Sequence, residues 1–290
     1  MTPKIISLVV LCFWFISCAN NEQEKKSDAG EILAPKLTQV WTSDTTLRTP
    51  ESVLYDKQRN LLYVANVNMN PWEKDGNGFI SRMDLRGKII DLEWVGGLNG
   101  PKGMGLVDNS LFVADIDQVV EINVEDGMVI NRYPVEGTPT LNDITTKDGI
   151  IYISGSDSQK IFKLENGTVS LILEGDLGRP NGLYAEKGRL LMLTSNSSLL
   201  ESIDLESMDR TKLVENLGHG DGIVPAGNGT YLASSWRGEL FHISADWKST
   251  QLLDTREEEI NAADIDYIVD KNLLLVPTFF DNRVVAYKLE

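Results

Sequence analysis

Four short stretches share one pattern: TPESVL (49–54), TLNDIT (140–145), RPNGLY (179–184) and HGDGIV (219–224). Each sets an oxygen-bearing side chain before a small or short residue, with an apolar residue after it. The oxygen-bearing residues are Glu51, Asn142, Asn181 and Asp221. Two carboxylates and two carboxamides make a hard, all-oxygen donor set with a summed charge of −2. Brought to one point, such a set suits Ca²⁺, which takes about six to eight oxygens, with water or substrate completing the shell. Mg²⁺ fits less well, because it demands tight octahedral geometry and keeps its waters. Zinc prefers sulfur and imidazole, and the whole chain holds only two Cys and two His.

What could bring four residues so far apart together is an internal repeat. Aligned on the residue before the small one, the chain gives Glu51, Lys102, Asn142, Asn181, Asp221 and Ala263, at spacings of 51, 40, 39, 40 and 42. Two positions on, every repeat has an apolar residue: Val53, Met104, Ile144, Leu183, Ile223 and Ile265. A second apolar run follows each, such as LYVAN (62–66) or IYISG (151–155), then a third such as QKIFKLE, then a more polar fourth such as GTVSLILE. No stretch beyond residue 36 sustains a helical period. Four strands per repeat of about 40 residues is the signature of a propeller blade. The expected fold is therefore all-β, a six-bladed β-propeller with four-stranded blades over residues 37–290. The chain stops after the third strand of repeat six, and an unmatched strand, LTQVWTSD (37–44), precedes repeat one. That N-terminal strand is expected to close the last blade and remove the ring's open edge. The first strand of each blade lines the central channel, so the six aligned residues converge on one rim. Ala263 leaves the sixth position without a ligand, as a place for substrate to enter.

The ordered motifs TPESVLYDKQRNLLYVAN, LNDITTKDGIIYISG, RPNGLYAEKGRLLMLTSN and GDGIVPAGNGTYLASSWRGELFHI resemble the regucalcin/gluconolactonase/luciferin-regenerating-enzyme family of propellers. More distantly, they resemble diisopropylfluorophosphatase and the paraoxonases. The resemblance spans roughly residues 38–290. It implies one divalent metal, Ca²⁺ or another, in the channel on Glu51, Asn142, Asn181 and Asp221. It also implies hydrolysis of lactones or related esters, with Asp221 activating water or attacking directly. Family members that act on sugar lactones carry a basic residue two places before the "ND" Asn; here that place is Thr140. Lys102 stands in the ligand ring and is expected to pair with Glu51 or Asp143, the alternative being a hold on an anionic substrate. His219, two residues before Asp221, reaches the rim, whereas His242 lies in a third strand away from the axis. Trp236, Phe279 and Phe280, in loops after second strands, fall at the pocket mouth or wedge between blades. Lys102, Thr140, Asp143, His219, Trp236 and Phe279 form the expected substrate-binding set. The long loop VNMNPWEKDGNG (67–78) is read as a lid carrying Trp72. The repeats are also similar to NHL-type propellers, so a second reading is a non-catalytic ligand- or protein-binding propeller with a structural metal.

The N-terminus reads as export machinery. MTPKIISLVVLCFWFISC has an early Lys and an apolar run too short to span a bilayer. FISC (15–18) resembles the lipobox of bacterial lipoproteins, which implies removal of residues 1–17 and lipid on Cys18. Residues 18–36 are polar and read as a flexible tether. The expectation is an exported bacterial lipoprotein on the periplasmic or cell-surface side, touching membrane only through its anchor. Cys12 leaves with the signal, so no intramolecular disulfide remains. The formal net charge of −16 over 290 residues argues against nucleic-acid partners, which need clustered cations.

Overall fold

The computed structural model describes residues 35–290. The signal segment, Cys18 and the tether up to residue 34 lie outside the described residues. The architecture is a six-bladed β-propeller of four-stranded antiparallel sheets. The inner strands are Pro50–Asp56, Pro101–Val107, Leu141–Lys147, Pro180–Glu186, Gly220–Gly227 and Asp266–Ile268. In the first five blades the other strands follow in sequence order, from the channel outwards. Blade six takes Leu273–Pro277 and Val284–Leu289, then borrows Leu37–Thr42 as its outer strand. That strand runs antiparallel to the last one, with Leu37 opposite Leu289 and Thr42 opposite Val285. Lys36 and Glu290 also exchange backbone hydrogen bonds at 3.0 and 2.9 Å, so the pairing starts one residue inside the expected tether. Among the described residues no helix is long and apolar enough to cross a membrane.

The core is divided among the blade interfaces rather than gathered in the middle. Each pair of neighbouring blades encloses its own buried apolar cluster, for example Ile80, Leu98, Leu111 and Val120 between blades one and two. The closing interface packs Val64 and Met83 of blade one against Leu275 and Ala286 of blade six. Alternation along each strand supplies one face to each neighbour, as sheet-on-sheet packing requires.

Two local features set up the channel. First, a β-bulge interrupts the pairing of the inner strand at the ring residue in five blades. The register slips between Pro50 and Ser52, Pro101 and Met104, Leu141 and Ile144, Pro180 and Leu183, and Gly220 and Ile223. A bulge inserts one unpaired residue and re-aims its side chain. Buried serines of the second strands take up the amides it frees: Asp143 N–H donates to Ser154 Oγ at 2.9 Å and Gly222 N–H to Ser234 Oγ at 2.8 Å. Second, glycine follows the ring residue where blades come closest. A Cβ on Gly182 would overlap the Asp221 carbonyl oxygen, and one on Gly222 would lie 2.6 Å from Ile265 N.

Blade six departs from the repeat. Its inner strand begins at Asp266, after the Ala263–Asp264 step that aligns with the other rings. Asp264 N–H donates to Glu51 O at 2.9 Å, and Ser52 and Asp264 form a parallel bridge. The start of blade six is therefore bonded to blade one and holds Glu51 in place.

Candidate metal centre and pocket

Glu51, Asn142, Asn181 and Asp221 lie together on the floor of a cavity of about 310 Å³ at one end of the channel. All four are buried. Asn181 Nδ2 donates to Asp221 Oδ1 at 2.7 Å, which fixes one oxygen of that carboxylate. Glu51 Oε2 is buried and has no hydrogen-bond partner. Burial, and after it the Asp221 charge, pushes the Glu51 carboxyl well above its usual range. Burial, then the charge of Asp143, pushes Asp221 up to about 7. A buried unpaired carboxylate is costly, and a cation among these oxygens removes that cost. Two carboxylates and two carboxamides, with an orphaned oxygen among them, fit a hard divalent cation. Among the described residues no three Asp, Glu, His or Cys side chains converge as a metal site of their own, so a cation here would have to draw on the two amides as well.

Lys102 lines the same cavity but does not form the expected pair. Its Nζ donates to two carbonyl oxygens, Pro71 O at 2.8 Å and Gly100 O at 3.0 Å, and lies 4.1 Å from the centre of the Trp72 ring. Neither Glu51 nor Asp143 bonds it. Buried at 2 % exposure, it has its pKa pushed down to about 8 by desolvation, against the pull of the Glu51 and Asp115 charges. Through Pro71 and Trp72, the 67–78 loop is tied to the edge of the pocket.

Two members of the expected substrate-binding set lie elsewhere. Thr140 is absent from the lining, because its Oγ1 accepts Asp157 N–H at 3.1 Å and so closes its own loop. Asp143 sits one residue past the ring and lines a separate cavity towards the other end of the channel, with Asp264 and Asp266. It accepts the amides of Ile144 and Leu183, each at 2.6 Å. Burial raises Asp143 to about 7 and Asp266 to about 6. This tier supports the floor from beneath.

The rim holds the remaining residues. His219 lines the pocket with its ring 6.3 Å from that of Trp236. Burial, then the Arg179 and Arg237 charges, keep its pKa below the usual histidine value. Trp236, Phe279 and Phe280 pack edge to face and all line the cavity. Phe279 is also buried against Val67 and Ala263, so it is both wedge and wall. Ala263 itself lies wholly under this group rather than open to the pocket. His242 lies in the third strand of blade five, away from the site. Arg179, which the motif reading passed over, also lines the pocket. The available signal was its register, two residues before a ring residue, the same place that Thr140 and His219 occupy in their blades.

No family model matches the chain, and no curated protein matches it in sequence. Among solved structures, the chain is similar to a catalytically inactive histidine-to-alanine variant of virginiamycin B lyase from Staphylococcus aureus, with quinupristin. The TM-score is 0.63 at 11% identity, covering 89% of this chain and 100% of that one. It is also similar to a chain of the nidogen/laminin complex, with a TM-score of 0.60 at 16% identity, covering 74% of this chain and 83% of that one. Likeness at these identities shows the six-bladed propeller fold alone.

Proposed function

We propose that this protein is a divalent-metal-dependent hydrolase of lactones or related esters, akin to the regucalcin/gluconolactonase propellers and exported as a lipoprotein anchored through Cys18. The observation that carries the reading is the convergence of Glu51, Asn142, Asn181 and Asp221 at the pocket floor, with Glu51 Oε2 buried and unpartnered. These four side chains would hold Ca²⁺ or another divalent ion, with oxygens only. When bound, such an ion supplies Lewis-acid polarisation of an ester carbonyl and stabilises negative charge developing on its oxygen.

The protein's own groups supply the rest. Asn181 occupies Asp221 Oδ1, which leaves Oδ2 to take a proton from an attacking water. A new C–O bond forms from that water to the acyl carbon, the C–O bond to the leaving alcohol breaks, and the proton passes on to the leaving oxygen. With a cation bound beside it, the Asp221 carboxylate would be held ionised and so able to accept that proton. The aromatic rim shields the reacting centre from bulk water and offers apolar surface to the substrate.

The test is hydrolysis of a lactone and aryl-ester panel in EDTA, then with Ca²⁺, Mg²⁺, Mn²⁺ or Zn²⁺ restored, with melting temperature followed in parallel. Metal-dependent turnover supports the reading. A metal-induced melting shift without turnover on any substrate overturns it in favour of a binding propeller with a structural metal. Metabolic labelling of Cys18 with a fatty-acid analogue, lost in Cys18→Ser, tests the anchor.

A further inference from the structure

Two residues before the ring stands a second tier: Thr49, Gly100, Thr140, Arg179, His219 and Asn261. Most of it is spent on structure. Thr49 Oγ1 accepts Met69 N–H at 3.3 Å, Thr140 closes its loop, and Asn261 Nδ2 donates to Trp236 O at 2.8 Å. Arg179 and His219 reach the pocket, and Arg179 is the only full cation of the tier.

Arg179 is held ready. Its backbone sits in the left-handed region at φ 62°, which is unusual for a residue with a side chain. Ser195 fixes it there: the Ser195 N–H and Oγ–H both donate to Arg179 O, at 3.0 and 3.2 Å. The guanidinium donates through Nε to Asp157 at 2.6 Å and through one terminal nitrogen to Ser195 Oγ at 3.1 Å. A guanidinium has about five N–H donors in a rigid fork, so these bonds fix its plane and leave the other terminal nitrogen unspent. Lys102 cannot take this part, because its ammonium is enclosed by two carbonyls and the Trp72 ring.

The wall supplied by blades five and six has different chemistry. Trp236, Phe279 and Phe280 stand with ring centres 4.8 to 6.0 Å apart. Phe280 is 63 % exposed at the mouth of the cavity. A cationic fork from blade four and an aromatic wall from blades five and six, lining one cavity, describe an amphipathic ligand: a flat apolar group with an anionic end.

Building on the hydrolase reading above, we propose that the substrate is an aromatic ester or lactone bearing a carboxylate, with Arg179 binding the carboxylate and Trp236, Phe279 and Phe280 the ring. Arg179 is then the specificity-determining residue of the pocket.

The test separates binding from turnover, using the full chain with Ca²⁺ present. Calorimetric titration compares 4-hydroxybenzoate with its methyl ester, which differ by one charge. Turnover compares 4-acetoxybenzoate with its methyl ester. The acid is expected to bind at least about tenfold more tightly than the ester, the ratio of a charge-assisted hydrogen bond. Arg179→Met brings the ratio to near one, Arg179→Lys restores part of it, and Trp236→Ala weakens both ligands alike. Equal binding of acid and ester by the wild-type protein overturns the proposal, and so does an acid preference that survives Arg179→Met in a protein of unchanged melting temperature. Acid-selective binding with no hydrolysis of either acetate supports the Arg179 assignment while refuting the hydrolase reading. Hydrolysis of both acetates at equal kcat/KM does the reverse.

Discussion

Replacing Glu51 with Gln should stabilise this protein when it is stripped of metal and blunt its response to metal when it is not. Glu51 Oε2 is buried without a partner, and desolvation and the Asp221 charge both oppose ionisation of its carboxyl. A buried polar group left unsatisfied costs about 1–3 kcal/mol. Glutamine keeps the shape, removes the charge and adds an N–H donor on the pocket floor that also holds the Asp221 carboxyl. In EDTA, Glu51→Gln should therefore melt higher than wild type, by about 2–4 °C for each kcal/mol recovered in a domain of this size. With Ca²⁺ the order should invert. A ligand at 100 times its Kd stabilises the native state by about 2.7 kcal/mol, and the variant, having lost one charged ligand, forgoes most of that. The assay is scanning calorimetry of both proteins in EDTA and across a Ca²⁺ titration. An intact metal response in Glu51→Gln, or a variant that melts below wild type in EDTA, would refute the reasoning: the first removes Glu51 from the ligand set, and the second shows that its carboxylate is paired in the metal-free fold.

Asp221→Ala should abolish metal-dependent hydrolysis, by about 10²–10⁴-fold or more in kcat, while circular dichroism shows an unchanged β-sheet spectrum. Retention of wild-type kcat would remove Asp221 from the chemistry. The metal-free protein should lose stability as pH rises: Asp143 and Asp221 are raised to about 7 and Asp266 to about 6, so between about pH 4 and 7 the native state holds more protons than the unfolded chain. Melting temperatures in EDTA should accordingly fall from pH 5 to pH 8, and a rise over that window would contradict the burial of these acids. Gly182→Ala should destabilise by about 1–3 kcal/mol, because the new methyl overlaps the Asp221 carbonyl and approaches Gly222 Cα to 3.2 Å, all of it backbone that cannot rotate away. Urea denaturation measures that loss, and a neutral outcome would mean that blades four and five are not in the close contact described.

The repeat was legible because a propeller writes its architecture into the sequence. Each blade needs an apolar residue at the same distance past the ring, and Val53, Met104, Ile144, Leu183, Ile223 and Ile265 supply it. The strand borrowed from the N-terminus was legible for a related reason, since a blade lacking its fourth strand leaves an unpaired edge. Blade six was less legible. Its ring position, Ala263, aligns by spacing and donates its N–H to Pro277 O of its own blade at 3.0 Å, but the next residue, Asp264, bonds to Glu51 of blade one and the regular strand begins only at Asp266. A hydrophobic period records which face of a strand is buried; it does not record which neighbour takes the backbone hydrogen bonds, and at the seam of a closed ring that neighbour changes.

The site divides along the same line. Glu51, Asn142, Asn181 and Asp221 could be picked out because register alone selects them, and a bulge that recurs at the ring re-aims each of them. Lys102 lies in the same register, yet its ammonium turns to the carbonyls of Pro71 and Gly100, because a long flexible side chain is placed by whatever surrounds its tip. Asp143 follows Asn142 directly in the same bulge but faces the other cavity, where its carboxylate accepts the Ile144 and Leu183 amides. Thr140 and Arg179 are equivalent in register and opposite in outcome. The short threonine is satisfied by its own loop, while the arginine, clamped by Ser195 and Asp157, is long enough to reach the cavity. Backbone register therefore decides which positions can address the channel, and side-chain length and local hydrogen bonding decide which of them do. That division implies that charge can be moved from blade to blade at the second tier without disturbing the floor. An arginine placed at Thr140 would leave the Asp157 N–H without the hydroxyl that accepts it, whereas Arg179 already stands at the pocket with its carbonyl held by Ser195.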